Sequence, residues 1–143
     1  MSSVNQVIRS VEAEVHDEVQ SVNTQACARA FRATNVMQNS AYDVLGKNGA
    51  GRVYKRGAKG IHTASIPGAP PAPDTGNLRR NWRRFVLSQS TGKGVRITCR
   101  IKSDVPYASA LESGTARMKA RPFRQRIINH ATPEIVGIFG EVR

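Results

Sequence analysis

The chain is poor in aromatics, cysteines and carboxylates. Aromatic residues are 6% of it and apolar residues 39%, so the expected core is thin and aliphatic. Such a core suits a protein that finishes burying its surface against neighbours. Two cysteines, Cys27 and Cys99, stand too far apart for a metal motif and too few for a disulfide framework. They read as two reduced thiols in a cytosolic protein. No apolar run approaches about 18 residues, and the start lacks a basic-then-apolar signal pattern, so a soluble, unexported protein with no membrane partner is expected. Acidic residues number 10 against 22 basic ones, a formal charge of +12. That excess predicts a polyanionic or acidic partner and says nothing about fold.

The excess is localised. Residues 1–45 carry three basic and five acidic side chains, and residues 103–143 carry six and four. Residues 46–102 carry thirteen basic side chains against Asp74 alone. At 143 residues the length predicts a single domain, 1–143, burying about two-thirds of its unfolded surface. Within it, residues 1–45 read as a long helix, 46–75 as a basic Gly/Pro-rich loop or arm, and 76–143 as an α+β core with a C-terminal helix. No internal repeat appears.

Periodicity supports that division. Val4, Ile8, Val11, Val15, Val22, Ala26, Ala30, Ala33, Met37, Ala41 and Val44 recur at steps of three, four or seven, the stripe of an amphipathic helix. Ser2 and Ser3 can cap its start and Gly46 can stop it. At ~1.5 Å per residue it spans about 60 Å, so it either lies on its own sheet or packs in part on a neighbouring subunit. The stretch "GKNGAGRVYKRGAKG" is a hairpin or a mobile arm anchored by Val53 and Tyr54. After the prolines, Asp74 or Thr75 can cap a short helix running through Trp82, with Leu78 and Trp82 on its buried side. In "GVRITCRIK", Val95, Ile97, Cys99 and Ile101 alternate with Arg96, Thr98, Arg100 and Lys102, a strand with one wet basic face. "RRFVLSQS" pairs with it across "TGKG". A short helix follows, with Tyr107, Ala110 and Leu111 inward and Gly114 ending it. A last helix starts near Pro122, and Pro133 either kinks it or begins another. The expected architecture is a long N-terminal helix on a small antiparallel sheet, with a short helix and a C-terminal helix.

Nothing in this pattern supports catalysis. His16, His62 and His130 form no metal-binding spacing. No Gly-x-x-x-x-Gly-Lys-Ser/Thr string is present for a nucleotide phosphate. Asp104 and Glu112 are the remaining acid–base candidates, and Glu112 reads better as a helix-end carboxylate bonded to an Arg or a backbone amide. No enzyme activity, metal or cofactor is therefore expected. Binding to nucleic acid is a stronger rival. Lys55, Arg56, Lys59, Arg79, Arg80, Arg83, Arg84, Arg96, Arg100 and Lys102, with Trp82 and Phe85 among them, can track phosphates without sequence preference. The same cations can equally face an acidic protein.

Two blocks carry a resemblance. "SIPGAPPAPDTGNLRRNW" is similar to the Pro-Gly-x-Pro-Pro…Asp-Thr-Gly-x-Leu block of a tailed-phage family, and "VPYASALESGTARMKARPF" to its Tyr-Ala…Leu-Glu-x-Gly-Thr…Arg-Pro-Phe block. Their order, separated by a predicted hairpin and preceded by a long helix, resembles the gene-product-ten-like tail components of long-tailed phages, also described as neck or tail-completion proteins. The matching positions are Pro70, Pro71, Asp74, Thr75, Gly76 and Leu78, then Tyr107, Leu111, Glu112, Gly114, Thr115, Arg121, Pro122 and Phe123. The tail "INHATPEIVGIFGEVR" departs from the family pattern. The resemblance implies an α+β virion subunit, assembled in the host cytoplasm, that forms a homo-oligomeric ring between the DNA-filled head and the tail. Implied partners are a portal-side adaptor or head-closure protein and a tail terminator or tail tube protein, with non-specific contact to DNA in the channel. A tail terminator capping the tube is the alternative place in the same assembly. The Pro-rich segment reads as a stiff arm docking on a neighbour, or as a crossing within one subunit.

Overall fold

The computed structural model describes residues 2–55 and 57–140. Helix α1 spans Ser2–Val44, a small hairpin pairs β1 (Val53–Lys55) with β2 (Ile61–Thr63), and α2 spans Asn77–Arg80. A long hairpin then pairs β3 (Trp82–Thr91) with β4 (Gly94–Ser103), before α3 (Ala108–Ser113) and α4 (Arg124–Phe139). Both sheets are two-stranded and antiparallel. The fold is α+β, with the long helix against the larger hairpin.

Helix α1 has two different halves. From Ala30 onward it turns Ala30, Ala33, Thr34, Val36, Ser40, Ala41 and Val44 inward, followed by Leu45. Here it meets α4, β3 and β4. The alanines carry little bulk, so the α4 backbone can approach closely where Ala131 is also buried. From Ser3 to Val22 every residue is exposed. Val4, Val7, Ile8, Val11, Val15, Val19 and Val22 all remain between 47% and 63% exposed. The apolar stripe therefore continues past the end of its own core. Ser3, one of the two expected caps, lies inside the helix.

The β3–β4 register runs from Trp82↔Ser103 to Thr91↔Gly94, as alternation predicts. Gly92 and Lys93 form the turn, with Gly94 at φ 137° and the Thr91 hydroxyl donating to Gly94 O at 3.0 Å. Trp82 differs from expectation: the chain leaves the helical region at Asn81, ψ 63°, so Trp82 opens the strand. It still reaches the core, packing edge-on to Phe123 at 6.3 Å between ring centroids. Its carbonyl accepts a 2.8 Å bond from Gln38 Nε2, which ties β3 to α1.

One hydrophobic cluster joins Ala41, Val44, Leu45, Leu78, Val105, Phe123 and Ile127. A second joins Val36, Ala131 and Ile138. Pro133 neither ends α4 nor splits it, since the helix continues through to Phe139. Thr132 Oγ1 donates back to Ile128 O at 2.6 Å, occupying a carbonyl beside the break in the amide ladder. Tyr107, expected inward, is 45% exposed at the N-cap position of α3.

The division of α1 predicts two very different mutants. Leu45→Ala, at a side chain 2% exposed, is expected to lower unfolding free energy by about 2–5 kcal/mol. Val11→Ala, in the exposed half, changes it by about 0.5 kcal/mol or less. Urea unfolding of both variants checks the contrast.

Candidate functional site

The two sequence blocks meet in space. Pro71, Asp74, Thr75, Gly76 and Leu78 from the first, and Tyr107, Leu111 and Arg121 from the second, line one cleft of about 470 Å³. Main-chain bonds stitch the blocks together: Gly68 N–H donates to Ala120 O at 3.0 Å. The Arg121 guanidinium donates to Ser65 O at 3.4 Å through both Nε and Nη2. The Pro-rich segment thus crosses the second block within one subunit, with Pro71 buried and Pro70 half-buried.

The first block enters α2 by backbone geometry. Gly76 occupies the left-handed region at φ 77° as the N-cap residue, a position that favours glycine. Thr75 Oγ1 accepts from Asn77 N–H at 3.3 Å. Asp74 does not cap the helix as expected; its carboxylate lies 3.8 Å from His62 Nδ1. His62 and Tyr54 are cross-strand partners with stacked rings 6.5 Å apart, and both line the cleft. Sequence reasoning missed these two as site residues, because three-residue strands carry too little alternation to announce a pair.

The second block is organised by one carboxylate. Glu112 Oε2 accepts from Phe123 N–H at 2.8 Å and Arg124 N–H at 3.1 Å, so it satisfies amides at the start of α4 from a distant position in the chain. Between them, Gly114 turns at φ 78° and donates to Ala110 O at 2.8 Å. Thr115 and Met118 then exchange main-chain bonds of 2.8 and 3.3 Å. Arg121 N–H returns to Leu111 O at 2.7 Å. Pro122 follows, half-buried, and Phe123 is buried beneath the loop.

The basic residues separate into two groups. Arg79 lies over the Tyr42 ring at 3.6 Å and donates to Tyr42 O at 2.9 Å. Arg80 donates to Gly76 O at 3.2 Å and Thr75 O at 2.9 Å, and Arg84 bonds Asn35 of α1. These three are engaged with their own chain, contrary to a uniformly outward patch. The other face of the hairpin brings together Arg83, Arg96, Arg100 and Lys102, from the register pairs Arg83↔Lys102, Phe85↔Arg100 and Gln89↔Arg96. Arg83 and Arg100 flank the Phe85 ring at 5.8 and 5.4 Å. Asp104 pairs with Arg83 and lies 3.6 Å from Lys102. Lys55 lies on the small hairpin, apart from this face, and Lys59 belongs to the adjoining 3-10 turn. Arg56 lies outside the described residues.

Among the described residues no three His, Cys, Asp or Glu side chains come together as a metal site. No described helix is long and apolar enough to cross a membrane. The cleft's polar groups bond mainly to main chain, so the arrangement sets backbone course and surface shape. No family model, curated protein or solved structure matches the chain.

Two substitutions test this architecture. Glu112→Gln removes the charge from two bonds and is expected to cost about 1–3 kcal/mol. Gly114→Ala places a Cβ 2.8 Å from Ala120 N at a positive φ, with an expected loss of about 1–3 kcal/mol. Thermal unfolding reads both losses.

Proposed function

We propose that this chain is a non-enzymatic structural subunit of a tailed-phage neck, forming a ring that joins the DNA-filled head to the tail. The observation that supports this reading is the convergence of its two family-like blocks on one cleft, held together by the Gly68–Ala120 and Ser65–Arg121 contacts. A resemblance carried by two separate blocks has more weight when both shape one surface. The ring would be placed between a portal-side adaptor or head-closure protein and a tail terminator or tube protein, within the virion. Its action is mechanical: it closes and aligns a conduit. The alternative place is the tail terminator, which caps the tube and presents the surface that a head recognises.

The outward cations of the hairpin, Arg83, Arg96, Arg100 and Lys102, favour a second contact, with DNA phosphates in the bore. Four phosphate contacts give a log–log salt slope of about −3 to −4. Mobility-shift titration across salt is expected to show that slope with no sequence preference. Absence of binding near physiological salt assigns the face to an acidic protein instead.

Electron microscopy of a lysate lacking this protein tests the main reading. Full heads beside separate tails of normal length are expected. Overlong or ragged tubes move the protein to tail termination, and joined normal particles overturn the neck assignment.

A further inference from the structure

The exposed half of α1 carries a seam with a definite charge pattern. Ile8, Val15 and Val22 repeat at seven-residue steps, Val4 and Val11 repeat beside them, and Glu12 and Glu14 flank the line they form. In heptad terms these are a and d positions bordered by acidic e and g positions. Across residues 2–25 four carboxylates, Glu12, Glu14, Asp17 and Glu18, face one cation, Arg9. Two such helices pairing together would bring two net-negative segments side by side.

A complementary surface lies at the other end of the molecule. A groove of about 590 Å³ runs between the β4 edge, α3 and α4. Its apolar floor includes Met37, Ile101, Ile127 and Ile135, and Arg100, Lys102 and Arg124 also line it. Ile128, on its wall, is 46% exposed. Amphipathic helices recognise apolar grooves in this way, with flanking charge fixing the register.

We propose that the exposed half of α1 from one copy seats in this groove on a second copy, with Glu12 and Glu14 toward Arg124 on its rim. This contact rests on the ring reading above and supplies the joint such a ring needs. It is head-to-tail: each copy offers a helix to one neighbour and a groove to the other, and rotation closes the series.

Two full-length variants test the contact. Val11→Asp with Val15→Asp spoils the helix, and Ile128→Asp spoils the groove. All three positions are exposed, and a retained cooperative thermal unfolding transition establishes that the core of each variant folds. In sedimentation velocity, wild-type protein is expected to self-associate, less so at high salt. Each variant alone is expected to associate about a hundredfold more weakly. Mixed, the two variants are expected to restore one junction, the intact helix of one entering the intact groove of the other, and to stop at a 1:1 dimer. A further pair, Arg124→Glu and Glu12→Lys, is expected to associate with each other better than either does with wild type.

Self-association of Ile128→Asp at wild-type strength overturns the proposal in favour of helix–helix pairing. Folded variants that fail to restore a dimer on mixing also overturn it, as does wild-type protein that stays monomeric at every concentration. The neck reading stands or falls separately. Restored dimers together with normal particles in the deletion lysate refute the neck and leave the contact. Separate heads and tails together with unaffected association of both variants refute the contact and leave the neck.

Discussion

A two-stranded sheet has no interior, so the hairpin Trp82–Ser103 keeps its shape only because the C-terminal half of α1 lies against it. Isolated hairpins are marginal in water. The same stretch of α1 supports α4, and the alanines at 30, 33 and 41 are what let those backbones approach. A larger residue at these positions would separate α4 from α1 and disturb both hydrophobic clusters together. The loops that form the cleft rest in turn on Leu45 and Phe123. Their course therefore depends on the helix seam, even though no cleft contact is made by Ala30 or Ala33.

Much of this architecture was legible in the residues. Val95, Ile97, Cys99 and Ile101 alternate over a stretch long enough for period two to be unambiguous, and the register follows. The α1 stripe was equally clear. Periodicity names a face without saying what covers it, so the unburied half of α1 could not be separated from the buried half. Trp82 misled because it stands four residues after Leu78, a helical spacing that a strand start at the same place also satisfies. Pro133 left two outcomes open because its tolerance depends on neighbouring packing. Glu112 was read as a helix-end carboxylate bonded to an Arg or an amide, and the amide is the partner. The groove left no linear signal, since it is assembled from α1, β4, α3 and α4.

The residues that carry the family resemblance act on geometry. Gly76 and Gly114 supply positive φ angles, Glu112 satisfies the start of α4, and Arg121 bridges to Ser65. These features fix the path of loops relative to a helix and a hairpin. The proposed ring subunit would need such control to match the shape of its neighbours. The outward basic face is compatible with that work, because its cations stand on a stiff ladder while Arg79, Arg80 and Arg84 are held by their own chain.

Six valines fall within the exposed half of α1. Valine is a weak helix former, and a segment of about 20 residues gains little helicity without packing. Little within the chain itself therefore holds this segment helical. In the proposed contact, ordering and docking would be one coupled event, with part of the gross contact energy spent on ordering. A joint of this kind is individually weak and releases misplaced subunits readily. In the proposed assembly it would hold when several joints close on each other, so such a ring would be far more persistent than any single pair of its members.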